Sequence, residues 1–398
     1  MKKRIQKRIY MDTAAAAPIS AHAQKAMLKH NDIFANPGAP HSDGLHAKSV
    51  LDDARARIAK VAAVKPHEII FCSGATEANN LVIFGVVDAA LKKQTRPHVI
   101  VSAIEHSSVL EVVRSSVFQK KADVTFVQPD EHGCVRPLSV LSALTPNTCM
   151  VSIGWANGEI GTMQQLRSIS QVIRAYEKEM NTTIVFHTDA GQAPWAAAPQ
   201  PHGVGVDCAV FSSTKLYGPR GVAALFVRKG SSIEPSLFGG SQERGLRPGT
   251  EDPVLAIGFA AAFEEGERLR AAHYKKLVNL RIAFAQGLHA LGKGARINGT
   301  HRDQLPHLVN VSFPGIDSEY VMYALDHAGV SISTKSICLL EEGDPVSPVV
   351  AALGGELWRA QTTLRFSFSR ATTMSDVKYV LQQLKEILSQ HQVVPHTG

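Results

Sequence analysis

Between about residues 65 and 230 the chain repeats one pattern, a short run of β-branched and other apolar residues followed by a longer stretch of helical character. The runs are EIIFCSG, HVIVSAIEH, VTFVQP, CMVSIGWAN, TIVFHTDA, DCAVFSS and GVAALFVR. Near-continuous apolar runs of this kind belong to strands covered on both faces. Between them, SVLEVVRSSVFQKKA and RSISQVIRAYEKEM place apolar residues three or four apart, the period of amphipathic helices. Strand and helix in alternation predict a mostly parallel sheet with helices on both sides.

A second regime begins near residue 260. A long helical pattern, FAAAFEEGERLRAAHYKKLVNLRIAFAQGLHAL, leads to the strands LVNVSFPG and TLRFSFSR and a closing helix, MSDVKYVLQQLKEILSQ. The pattern therefore predicts an α/β protein with a large domain over 12–260 and a smaller α+β C-terminal domain over 261–398, on which residues 1–11 pack. KSICLLEEGDPVSPVVAALGGE, rich in Gly, Pro and acidic residues, reads as a long loop.

Composition narrows the class. A length of 398 residues suits one large and one small domain. With 44% apolar and 19% charged residues, neither wholesale disorder nor a fibrous repeat needs considering. No apolar stretch approaches the length of a bilayer span, so a soluble protein without a membrane partner is expected. The basic start MKKRIQKRIYMDTAAAAPISAHA lacks the apolar core of a secretory signal, and Asp12 interrupts the place where one would sit. Five cysteines, an odd number with no C-x-x-C pair, argue against a disulfide framework or zinc ribbon and predict a reducing, cytoplasmic setting. The formal charge of +7 comes partly from the Lys/Arg cluster in residues 2–8. Without an aromatic-interleaved basic stripe it reads as a solvated tail and surface, and no direct nucleic-acid binding is expected. His41 and His46 lack Cys or acidic partners at ligand spacing, and no metal site is expected.

In open α/β sheets ligands sit beyond the carboxyl ends of the strands. After EIIFC comes SGATEANN, whose small residues let backbone N–H groups approach a phosphate at a helix N-terminus. After TIVFHT comes Asp189, a carboxylate at a strand end that needs a cationic partner such as a protonated pyridine nitrogen. After DCAVF comes SSTKLYGPRG, which sets Lys215 among hydroxyl residues, where an amine can form a Schiff base with an aldehyde cofactor. Lys215, Asp189 and a phosphate-type turn together point to pyridoxal 5'-phosphate (PLP).

These motifs, with YMDTAAAAP, NPGAPHSDGLHA, EHSSV, NGEIGTMQ, HTDAGQ, GGSQERGLRPGT, STKSIC and LRFSFSR in order, resemble the cysteine desulfurases of the class V branch of the fold type I PLP-dependent transferases. The match runs over nearly the whole length. The resemblance implies that Lys215 binds the PLP aldehyde, that Asp189 keeps the pyridine nitrogen protonated and that Gln192 bonds the ring's phenolic oxygen. It implies that His106 stacks on the ring and shuttles protons. Ala75, Thr76 and Ser212 would hold the phosphate from one subunit and Thr250 from its neighbour in a homodimer, with Thr214 beside them. Arg365 would receive the substrate carboxylate, for which a planar fork is suited. Cys338 would attack the substrate sulfur, so that L-cysteine becomes L-alanine and the enzyme carries a persulfide. A protein sulfur acceptor is implied, whether a scaffold for iron-sulfur cluster assembly, a carrier or a tRNA-modifying enzyme.

Four departures mark a divergent branch. Thr214 stands where the family usually has His, Gly158 replaces the second Asn of N-N-E-I-G, STKSICLLEEGD surrounds Cys338 in place of a small, Ser-rich stretch, and AAAA stands where paired threonines are common. The rival readings are a selenocysteine lyase or other PLP enzyme of the same fold that does not use Cys338, and a non-catalytic PLP-binding scaffold. Cysteine-dependent persulfide formation and alanine release separate them.

Overall fold

The computed structural model describes residues 8–300, 302–334 and 346–390. In chain order the first elements are β1 (Ile9–Tyr10), α1 (Ala21–Lys29), α2 (Ser42–Ala62), β2 (Ile69–Cys72), α3 (Ala75–Leu91), β3 (His98–Ser102), α4 (Ser107–Arg114), α5 (Ser116–Gln119) and β4 (Asp123–Val127). They are followed by α6 (Pro137–Ala143), β5 (Thr148–Ser152), α7 (Leu166–Met180), β6 (Val185–Asp189), α8 (Pro201–Val204), β7 (Cys208–Ser212) and β8 (Ala223–Val227). The remainder comprises α9 (Pro253–Ala290), β9 (Arg296–Asn298), β10 (Leu308–Ser312), α10 (Ser318–His327), β11 (Val330–Ser331), α11 (Pro348–Ala352), α12 (Trp358–Gln361), β12 (Thr363–Ser367) and α13 (Met374–Gln390).

The strand order β2-β8-β7-β6-β5-β3-β4 forms one sheet. From β7 to β4 all pairs are parallel, whereas β8 runs antiparallel to both β7 and β2. Successive side chains of a strand point to opposite faces, and here both faces are buried. Ile69, Phe71, Ile100, Val151, Phe186, Phe211 and Phe226 join one core with residues of α2, α7 and α9, while Ile70, Val99, Val101, Met150, Val185, Val210 and Leu225 join another with residues of α3 and α4. This double covering explains why the strands are apolar at nearly every position. Fully burying one such side chain contributes about 1.5–3 kcal/mol.

Two details differ from the sequence pattern. The helix expected over SVLEVVRSSVFQKKA is split at Ser115, whose extended backbone ends α4 and whose hydroxyl accepts the Phe118 N–H to start α5. The expected domain boundary at 260/261 falls inside α9, which is 38 residues and so about 57 Å long. Asp252 caps that helix and Pro253 occupies its first turn. Its first half buries Phe259 and Phe263 in the sheet-side core, and its second half carries Phe284, which packs on Phe366 of β12. Gly258 and Gly287 permit close approach, since a Cβ there would meet Met27 of α1 and Leu381 of α13 at 2.5 and 2.2 Å.

The C-terminal region carries an antiparallel sheet β12-β10-β9. The N-terminal segment is laced into it. β1 pairs with β11, Asp12 bridges to Ser367, and the Thr13 hydroxyl donates to the Phe368 carbonyl. Residues 1–7 lie outside the described residues, as does the stretch 335–345 with Cys338. The segment after residue 345, expected from its Gly and Pro content to be loop, instead includes helix α11. No helix among the described residues is long and apolar enough to cross a membrane.

Candidate active site

The ends of β2, β3, β5, β6 and β7 open on a cavity of about 470 Å³, within the size range of small-molecule sites. Its lining brings together Ala75, Thr76, His106, Asp189, Gln192, Ser212, Thr214, Lys215 and Arg365. Thr250 is not among them; it is exposed on the loop after Leu246. Cys338 falls outside the described residues.

Lys215 closes a short 3-10 turn directly after β7, and its Nζ donates to the Ala15 carbonyl, which the N-terminal segment carries into the site. The turn is held by the Trp195 indole N–H, donated to the Lys215 carbonyl at 3.1 Å, and by Ala17 N–H, donated to the Thr214 carbonyl at 2.9 Å. Tyr217, two residues on, has a φ of 64°, a left-handed conformation disfavoured for a bulky side chain. Its hydroxyl accepts the Arg370 N–H and the Arg370 guanidinium lies 4.2 Å from its ring centroid, contacts that retain the strained backbone.

Asp189 ends β6. One carboxylate oxygen accepts the Gly191 N–H and the other the Asn79 side-chain amide, each at 2.9 Å. Its neighbours are electrically quiet. Burial lifts the Glu105 carboxyl to about 8, helped by Asp189, while its Oε1 accepts the Gly154 N–H at 2.6 Å. Burial likewise lowers His187 to about 4, although Asp189 pulls the other way.

Helix α3 begins at the cavity with Gly74 as its N-cap, and no side chain caps it. Its first N–H groups are thus left for another acceptor, and a Cβ built on Gly74 would meet nothing within 4 Å. Gln192 Nε2 donates to the Ala14 carbonyl at 2.9 Å, leaving its buried Oε1 without a partner. His106 caps α4 from the neighbouring strand end. Arg365 is buried; it donates to Asp12 Oδ1 at 2.9 Å and to the Gly158 carbonyl at 3.3 Å, and its Nε has no partner.

The departures from the family pattern have structural outcomes. Asn157 lines the cavity, but its polar groups are committed elsewhere: its amide donates to the Ile104 carbonyl and its oxygen accepts the Glu159 and Ile160 N–H groups. A Cβ at Gly158 would lie 3.4 Å from Gln192 Cγ, so the side chain missing there leaves Gln192 as the neighbouring amide. His41 serves as the N-cap of α2 rather than in a cluster with His46.

Reasoning from sequence alone passed over Asp12, Asn79, Glu105 and Ser108. Each lies in one of the motifs YMDTAAAAP, SGATEANN and EHSSV, but its partner lies far away in the chain or is fixed only by the fold.

These residues fit PLP. The open helix terminus suits a phosphate, the donor-fixed Asp189 carboxylate suits a pyridinium, and Lys215 stands at the same cavity as an amine for the aldehyde. The unpartnered Gln192 Oε1 is a further polar group awaiting a ligand.

Comparison with known proteins agrees. The family model Aminotransferase class-V matches residues 9–380. The cysteine desulfurase IscS of Dictyoglomus turgidum is 34% identical over 387 residues, covering 96% of this chain and 95% of that protein. Among solved structures, a NifS-like protein superposes with a TM-score of 0.88 at 31% identity, covering 96% of this chain and 99% of that one. SspA in complex with cysteine superposes with a TM-score of 0.76 at 30% identity, covering 92% and 100%. On a match spanning both the sheet and the C-terminal region, with the cofactor-type residues gathered at one cavity, the chain belongs to the class-V aminotransferase family.

Proposed function

We propose that this protein is a PLP-dependent cysteine desulfurase that releases L-alanine from L-cysteine and retains the sulfur on Cys338. The observation that carries the reading is the convergence of Lys215, Asp189, His106 and Arg365 on one cavity whose wall continues to Pro348 and Val349. PLP bound there supplies an electron sink for charge developing at the substrate Cα. Lys215 would hold the aldehyde and, once released from it, take up the Cα proton. Asp189 would keep the ring nitrogen protonated, and the N-terminus of α3 with Thr76 and Ser212 would fix the phosphate. Arg365, with Asp12 holding one edge of its guanidinium, would use its remaining donors on the substrate carboxylate.

Ser333 and Arg365 exchange two backbone hydrogen bonds, which sets the described residues nearest in sequence before Cys338 directly beside that arginine. The four described cysteines are poor alternatives, since burial raises all their thiols, Cys149 to about 12.

The working unit is a homodimer. Phe238, 90% exposed, lies on the loop that also carries Thr250, and Gly239 of that loop packs on Pro248. A large apolar side chain in water beside a residue assigned to a neighbour's phosphate supports a second copy on this face. The sulfur acceptor is a protein.

The deciding experiment incubates purified protein with L-cysteine and measures alanine and bound persulfide. Wild type should be yellow and yield both, Lys215→Ala should lose its covalent hold on PLP and yield neither, and Cys338→Ser should form neither persulfide nor stoichiometric alanine, because a hydroxyl is a far poorer nucleophile toward sulfur than a thiolate. Alanine release by Cys338→Ser at the wild-type rate would replace this reading with a lyase that uses no protein thiol.

A further inference from the structure

Behind the cavity, hydrogen bonds join Asp189 to His106 without a break. Asn79, fully buried on α3, sends its amide nitrogen to Asp189 Oδ2 at 2.9 Å and to Ser108 Oγ at 2.8 Å. Ser108 Oγ lies 2.8 Å from His106 Nδ1, and the Ser108 backbone N–H donates to that same nitrogen at 3.1 Å. The donors and acceptors can be assigned throughout. A carboxylate only accepts, so the nitrogen of Asn79 must face Asp189, and both its hydrogens are then committed. Ser108 Oγ, accepting from Asn79, has its own proton for His106. A backbone N–H only donates, so Nδ1 is an acceptor, and in the neutral ring the proton sits on Nε2.

We propose that Asn79 and Ser108 are positioning residues that fix His106 as the Nε2–H tautomer and tie its ring to Asp189, so that His106 meets the cavity as a hydrogen-bond donor. Turning the ring over forfeits both hydrogen bonds to Nδ1, and moving its proton to Nδ1 forfeits the one from the Ser108 backbone N–H, which then has no acceptor on the ring. The inference deepens the proposed desulfurase reading and rests on it only for the choice of substrate.

The test uses the full-length, PLP-loaded protein labelled with [15N]histidine, with the His106 signals identified by their loss in His106→Gln. Wild type should show Nδ1 unprotonated and Nε2 protonated. Ser108→Ala should keep that tautomer through the backbone donor but move the Nδ1 resonance toward that of a free acceptor, and Ser108→Thr should restore it. Ser108→Pro, tolerated in the first turn of α4, removes both donors and should leave a mixture of tautomers. Alongside, Ser108→Ala should lower kcat for alanine formation about fivefold with KM within about twofold, the effect of one lost hydrogen bond. A protonated Nδ1 in wild type, or an Nδ1 resonance unmoved in Ser108→Ala, overturns the relay. Absence of alanine from wild type would instead overturn the desulfurase reading and leave the tautomer result standing.

Discussion

Glu105 is the residue whose environment departs furthest from its ordinary behaviour while still facing the cavity. Folding raises its carboxyl from 4.5 to about 8 by burial, so between those values the folded protein holds a proton that the unfolded chain has released. Stability then falls as pH rises through that window. Glu105→Gln, which keeps an acceptor for the Gly154 N–H, should gain stability relative to wild type steadily from about pH 5 to 8 and no further above it. Denaturant titrations of both proteins across that range check this; a difference independent of pH would place the proton elsewhere. Arg365 offers a second test at this scale. Because Asp12 and the Gly158 carbonyl already take two of its donors, Arg365→Lys removes the fork needed for both Asp12 and a substrate carboxylate. KM for cysteine should rise at least tenfold while PLP affinity changes little, and an unchanged KM would remove Arg365 from substrate binding.

Among the elements, the uncapped start of α3 makes the sharpest claim. A Cβ at Gly74 meets no protein atom within 4 Å, and the residue's φ of 177° is open to any side chain. Gly74→Ala should therefore fold as well as wild type, yet bind PLP about tenfold more weakly because the methyl enters space assigned to the phosphate. Melting temperature and equilibrium dialysis of the cofactor separate the two effects, and equal PLP affinity would move the phosphate away from this terminus. The strands and their following turns were legible in the sequence because both faces of the sheet are buried, and an apolar run ending in Asp189, or in SSTK before Leu216, marks a strand mouth. The roles of Asn79, Ser108 and Asp12 were not legible, since each depends on which distant element comes to rest beside it. The break at Ser115 and the start of α9 at Pro253, six residues before the helix read from the sequence, were missed for a related reason: local capping decides both, by the Ser115 hydroxyl and by Asp252.

For the whole molecule, the loop carrying Phe238 and Thr250 is anchored rather than free. Glu243 accepts two hydrogen bonds from Arg55, each at 2.7 Å, and one from the Phe71 N–H, and Arg247 pairs with Glu77 in the first turn of α3. A second copy would thus meet a fixed surface coupled to the phosphate end of the cavity. Phe238→Asp should convert the proposed dimer to monomer in sedimentation analysis and lower PLP retention with it; a dimer of wild-type affinity would put the interface on another face. The lacing of the first strand into the last sheet has its own consequence for how the protein is made. Asp12 and Arg365 are separated by 353 positions, and at about 5–20 residues per second a ribosome needs roughly 20–80 s to deliver the whole chain. Lys215 emerges long before β12 exists to hold the N-terminal segment, with its Ala14 and Ala15 carbonyls, against the cavity. Loading of the coenzyme is therefore a late event in biosynthesis, and chains stalled before β12 leaves the ribosome should retain none of it, whereas stalled chains displaying both β12 and α13 should.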